Sequence, residues 1–168
     1  MIFFATLLLL TVSDPDLLSP HGEKAVVLLF IRSDCPISNR YAPELQRLYK
    51  EYSSRGVEFH LVYPESGLTT TAMEAHRKEY GYTIPALLDG RHQFVNRAGA
   101  RITPEAAVFI QGKLIYLGRI DDLYADLGKA RREAQHHDLE EVLSAVAAGK
   151  SIQPHETKAI GCAIEKLQ

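Results

Sequence analysis

Tryptophan is absent from the chain, and cysteine and methionine occur only twice each in 168 residues. Two cysteines exclude a disulfide-stapled scaffold. No excess of one charge is present either. Nineteen Lys and Arg stand against 21 Asp and Glu, a formal net charge of −2. That balance leaves no electrostatic footprint for nucleic acid. The basic cluster Lys129, Arg131 and Arg132 is diluted by Glu133 and reads as a solvated helix face. Internal repeats, low-complexity tracts and domain linkers are also missing. The apolar run Met1 to Val12 is too short for a stable membrane span, which needs roughly 20 residues. No Lys or Arg precedes it and no A-x-A site follows, so it departs from the secretory-signal pattern. We expect an extended strand there, with an export-signal remnant as the alternative. The compartment is cytoplasmic if Met1 is the native mature start and periplasmic or exported if Met1–Val12 is such a remnant.

What remains is ordinary for a globular protein, with 46% hydrophobic and 24% charged residues, long enough for one core. Ala25 to Ile31 is an unbroken apolar run, as in a parallel strand buried on both faces. Tyr41, Leu45, Leu48, Tyr49 and Tyr52 recur at helical spacing, predicting a helix from about Ser38 to Tyr52 that ends at Gly56. Val57 to Tyr63 is a second strand, with His60 as a satisfied strand histidine. A helix over Thr70 to Tyr80 with a threonine N-cap follows. A short strand lies within Thr83 to Gly90, and a short helix spans Gln93 to Ala98. Ala106–Ile110 and Leu114–Leu117 form a hairpin about Gln111-Gly112-Lys113. Gly118 to Gly128 reads as irregular and Ala130 to Ala148 as a final helix. The domain organisation is therefore one domain over residues 1–150 and a tail over 151–168 that carries Cys162.

Cys35 falls where the first strand gives way to the first helix. Free N–H groups and the helix dipole favour a thiolate there, and Pro36 suits the first helical turn. Pro43 should kink the helix. Asp34 opposes a second negative charge beside it, while Arg32 and Arg40 offset that effect.

Cys35-Pro36-Ile37-Ser38, with Pro43 five residues after Ser38, resembles the active site of the thioredoxin superfamily. There a C-x-x-C motif opens a helix and a proline follows at that distance. Ser38 replaces the second cysteine and makes the motif monothiol. The order of elements is similar to the thioredoxin layout: α/β, with a central mixed sheet flanked by helices. An extra segment, roughly Ser66 to Asp89, resembles the redoxin branch, which includes the alkyl hydroperoxide reductase and thiol-specific antioxidant proteins. Gly99 to Pro104 looks like that family's G-V-x-x-T-P, whose proline is cis and faces the cysteine.

The resemblance implies a thiol–disulfide oxidoreductase, antioxidant-like and without a cofactor. Cys35 would be the nucleophile, Ser38 its hydrogen-bond partner through the hydroxyl, and Pro36, Thr103 and Pro104 the substrate platform. The partner would be a protein thiol or disulfide, or a small oxidant. With no local resolving thiol, Cys162 is the internal candidate, paired with Cys35 within one chain or across a dimer; monomer and homodimer both stay open. Peroxide reduction is the first alternative, although Leu28 and Arg32 stand where peroxiredoxins carry Pro and Thr or Ser. Copper handling is another; it uses C-x-x-x-C and a distant His, but Asn39 holds the second position and His136-His137 reads as a solvated face. A non-catalytic binding module is the last. Arg119 and Asp121, after the final sheet strand, are supporting candidates near the cysteine, or a surface pair with each other.

Overall fold

The computed structural model describes residues 17–19 and 21–167. The strand expected over Met1–Val12 lies outside them. The chain runs β1 (Ala25–Phe30), α1 (Pro36–Arg40), α2 (Ala42–Tyr52), β2 (Val57–Tyr63), α3 (Thr70–Glu79), β3 (Ala86–Leu88), α4 (Gln93–Ala98), β4 (Ile102–Thr103) and β5 (Glu105–Ile110). It continues through β6 (Lys113–Gly118), β7 (Tyr124–Asp126), β8 (Lys129–Ala130), α5 (Asp138–Ala147), β9 (His155–Glu156) and β10 (Cys162–Ala163). Six strands form the main sheet in the order β3-β2-β1-β5-β6-β9. β1, β2 and β3 are mutually parallel, β5 and β6 run antiparallel, and β9 returns parallel to β6. This is a thioredoxin-like mixed α/β sheet with helices on both faces.

The sheet separates two cores. On one face Val27, Leu29, Leu61 and Val108 pack with Leu45 and Leu48 of α2 and Leu139 and Leu143 of α5. On the other, Leu28, Phe30 and Phe109 meet Phe94 and Ala98 of α4. Every residue of β1 is buried, which is why its sequence shows no alternation. The β5–β6 turn needs left-handed backbone at both central positions, Gln111 (φ 49°) and Gly112 (φ 74°). Arg47 ties α2 to α5 through bonds to Glu44 and Glu140 at 2.7 Å.

Three expectations are corrected. The single helix over Ser38–Tyr52 is two, interrupted at Tyr41, with Pro43 in the first turn of α2 where its missing donor costs nothing. The final helix starts at Asp138 rather than Ala130. Residues 131–137 instead fold back as a loop, because the buried Asp122 carboxylate accepts from Gln135 N–H (2.6 Å) and His136 N–H (3.0 Å). The stretch Gly118–Gly128, expected to be irregular, contributes β7 to a small hairpin with β8. The tail supplies β9 to the main sheet and β10 to a ladder with β4.

Candidate active site

The sheet delivers Cys35. Ile31 N–H still bonds Val62 O (3.0 Å), and the chain then leaves the sheet in a turn closed by Cys35 N–H on Arg32 O (3.3 Å). Cys35 is the N-cap of α1, in extended backbone (φ −92°, ψ 110°), and its Sγ accepts from Ser38 N–H at 3.5 Å. The Ser38 hydroxyl, expected to serve the sulfur, accepts instead from Arg32 N–H (3.5 Å) and braces the preceding turn. α1 is only five residues long, so its dipole is weaker than the sequence suggested. The backbone N–H favours a thiolate, and the Thr103 carbonyl oxygen, 3.3 Å from Sγ, disfavours it.

Opposite lies the Thr103–Pro104 segment, whose peptide bond is cis. The Glu105 carboxylate accepts from Arg101 N–H (2.8 Å) and holds this loop closed. Burial raises its pKa, against the lowering effect of the bonds from Arg101 and Ile102 N–H. Below the turn, Ser33 N–H and Oγ–H both donate to Glu65 (2.6 and 2.7 Å). Asn39 donates to Ser33 O (3.1 Å) and accepts from His76 Nε2 (2.9 Å).

Into the gap between Cys35 and Thr103 runs the C-terminal segment. Cys162 pairs antiparallel with Thr103 and Ala163 with Ile102. Thr103 Oγ1 donates to Cys162 O (3.3 Å), and Ile164 N–H donates to Arg101 O (2.9 Å). Cys35 and Cys162 form a disulfide with Cα atoms 6.1 Å apart across 127 positions. Cys35 is 1% exposed, whereas Cys162 is only partly buried. Arg32 bonds Asp34 bidentately (3.0 and 2.9 Å) and donates to Ala163 O (3.2 Å), so it clasps the tail. Its hydrogen bond to Asp34 raises its pKa. Beside the disulfide is a cleft of about 330 Å³ lined by Arg32, Asp34, Glu65, Ile164 and Glu165.

Of the residues singled out in the sequence, Arg32, Cys35, Ser38, Thr103, Pro104 and Cys162 come together here, with Pro36 exposed just beside them at the start of α1. Arg119 and Asp121 border a narrow cleft with Pro104. They do not pair with each other: Arg119 pairs with Asp138 (2.7 Å), and Asp121 accepts from Tyr41 O–H (2.5 Å). Arg40 lies over the Tyr124 ring, 5.6 Å from its centroid, rather than beside the sulfur. Thr157 went unnoticed in the sequence, where a lone Thr in a polar tail gives no signal. Its N–H bonds Leu117 O (3.0 Å), and its Oγ1 lies 2.7 Å from the Tyr116 hydroxyl oxygen and accepts from Arg119 N–H (3.1 Å).

The chain is similar to a hypothetical protein from Sinorhizobium meliloti 1021 at 26% identity and a TM-score of 0.72, over 84% of this chain and 79% of that one. An uncharacterized conserved protein from Geobacillus kaustophilus matches at 24% identity and the same TM-score, 0.72, over 85% and 77% of the two chains. MTB dsbF, solved in mixed oxidized and reduced forms, shares the fold at 19% identity and a TM-score of 0.53, over 74% and 81%. No curated protein matches the chain. A family model described as Redoxin matches residues 10–130, well over half the length, and the chain belongs to that family.

Proposed function

We propose that this protein is a thiol–disulfide oxidoreductase in which Cys35 and Cys162 alternate between dithiol and disulfide. The observation that carries the reading is the disulfide itself: the chain's two cysteines meet at the strand-to-helix turn, against the cis Thr103–Pro104 segment. In the dithiol, the Cys35 thiolate attacks one sulfur of a partner disulfide, and the partner's other sulfur leaves as a thiolate with the electron pair. The Cys162 thiolate then attacks Cys35 Sγ and expels the second partner thiolate. The partner disulfide becomes two thiols, and two electrons leave the Cys35–Cys162 pair. A bound cofactor has no part in this exchange.

The alternatives fit the site less well. Leu28, where a peroxiredoxin carries Pro, is buried in the core beneath the sheet, and Arg32, in place of Thr or Ser, is occupied by Asp34 and the tail. Asn39 stands where a second metal-binding thiolate would be needed, and its amide is engaged at both ends. His137 lies close to Glu44 and Glu140, but both carboxylates are bonded to Arg47. Reduction of a model protein disulfide by the dithiol form tests the proposal. Cys35→Ser should abolish it, because no other group takes over the attack. Unchanged activity in that variant would overturn the assignment.

A further inference from the structure

We infer that residues Ile160–Ile164 are an internal replica of the substrate, and that the site takes an extended protein strand in which glycine precedes the reacting cysteine. The inference rests on the proposed disulfide chemistry and names the partner for it. The tail is attached as a substrate in mixed disulfide with Cys35 would be. Its cysteine is bonded to Cys35, its backbone pairs antiparallel with Ile102–Thr103, and Ile164 N–H reaches on to Arg101 O at 2.9 Å. Those backbone contacts belong to any extended peptide and carry no information about side chains.

Gly161 does carry such information. Its backbone is not left-handed, so conformational freedom does not explain it. Space does. A Cβ on Gly161 would overlap the Thr103 carbonyl oxygen, lie 2.8 Å from its carbonyl carbon and 3.1 Å from Ile102 Cγ2. Two of those three atoms are backbone on a loop that Glu105 holds shut, and backbone cannot swing aside as a side chain would. A strand with any larger residue before its cysteine has to shift off the ladder. After the cysteine the requirement relaxes, since Ala163 is exposed and Ile164 partly so.

One ladder cannot hold two strands, so substrate and tail exclude each other. Resolution is therefore strand exchange: the tail takes back the ladder as it expels the partner thiolate. The tail can do this without leaving the protein. Thr157 stays fixed by Leu117, Tyr116 and Arg119, leaving four residues between that anchor and Cys162. Such a short tether keeps the resolving thiol at an effective concentration on the order of millimolar.

The test uses the full-length C162S variant and two peptides, Ala-Ile-Gly-Cys-Ala-Ile and Ala-Ile-Val-Cys-Ala-Ile, each activated as a disulfide with thionitrobenzoate. Release of the coloured thiol reports attack by Cys35. The glycine peptide should react faster by about tenfold or more, the size expected of an overfilled contact. Equal rates would overturn the replica and leave the oxidoreductase intact. Rates no faster than those of free cysteine with both peptides would remove the oxidoreductase reading as well. A second measurement does not depend on the folding of that variant. Gly161→Val in the full chain should slow re-formation of the Cys35–Cys162 disulfide by glutathione disulfide, again by about tenfold. Re-formation at the wild-type rate would contradict the inference.

Discussion

The two ends of the disulfide are built differently. Cys35 is sealed among Ser38 and Thr103, both 0% exposed, on a turn that the central strand and Glu65 hold in place. Cys162 sits on a two-residue ladder, partly open to solvent, beyond the Thr157 anchor. One end is held by the sheet, and the other is the end that moves in the proposed exchange. In that exchange, an incoming reductant therefore meets the Cys162 sulfur of the oxidised bond first, and Cys35 departs as the thiolate that Ser38 N–H receives. In the same proposed exchange, the reduced form presents the fixed end to the partner, and the movable end resolves.

Replacing the movable cysteine should separate the two half-reactions most strongly. In the C162S variant the first attack by Cys35 proceeds, but the mixed disulfide accumulates. Multiple turnover then falls on the order of 10²-fold, the factor lost when an intramolecular thiol is replaced by one from solution. Mass spectrometry of the quenched reaction should find the partner on Cys35. A C162S variant that turns over as wild type would break the comparison, because resolution would then not depend on the tail.

The anchor comes next in size. Thr157→Val removes the Oγ1 that Tyr116 and Arg119 share and leaves a part-buried N–H unpaired, at a cost of about 1–3 kcal/mol. Thermal unfolding should drop in both redox states, and disulfide closure should slow because Cys162 is no longer held nearby. A variant that loses stability but closes its disulfide at the wild-type rate would show that the anchor is structural only. The clasp is weaker. Arg32→Gln removes a pair whose Asp34 side is 66% exposed, so the Cys35–Cys162 bond should weaken by no more than about 1 kcal/mol. Equilibration against glutathione measures it.

The fixed end was legible in the sequence and the movable end was not, for a physical reason. β1 announces itself through seven consecutive apolar residues, and α4 through its bounding turn residues, because local pattern and final environment agree. The Thr103–Pro104 contact could be inferred only through family likeness, and the Cys162 pairing remained one option among several, since proximity over 127 positions leaves no periodic trace. Strands of two or three residues, such as β7, β8, β9 and β10, owe their shape to a partner elsewhere in the chain. Residues 131–137 were misread as helix because charged residues suit a helix surface, while the force that shapes them is the Asp122 carboxylate. Gly161 leaves room for the Thr103 carbonyl, a need set by a contact far off in sequence.

The smallest expected effect probes how the fixed end stays fixed. His76, 6% exposed, accepts from Tyr63 O–H at Nδ1 (2.8 Å) and donates from Nε2 to Asn39 (2.9 Å), which in turn holds Ser33 O. That arrangement needs the neutral ring, because a proton on Nδ1 would oppose the Tyr63 donor. Burial lowers the His76 pKa, against the raising effect of Glu65 and Glu79. The folded protein thus resists a proton that the unfolded chain accepts near pH 6.5, so stability falls as pH drops through that value and is unaffected above it. Asp89 and Glu105 act in the opposite sense, since burial raises their pKa values and folding favours their protonated forms. The raw slope therefore mixes the two, and the informative quantity is wild type minus His76→Gln. Between pH 6.5 and 5, denaturant unfolding should show wild type losing stability relative to the variant. Parallel curves would mean that the turn beneath Cys35 is held by the sheet and Glu65 alone.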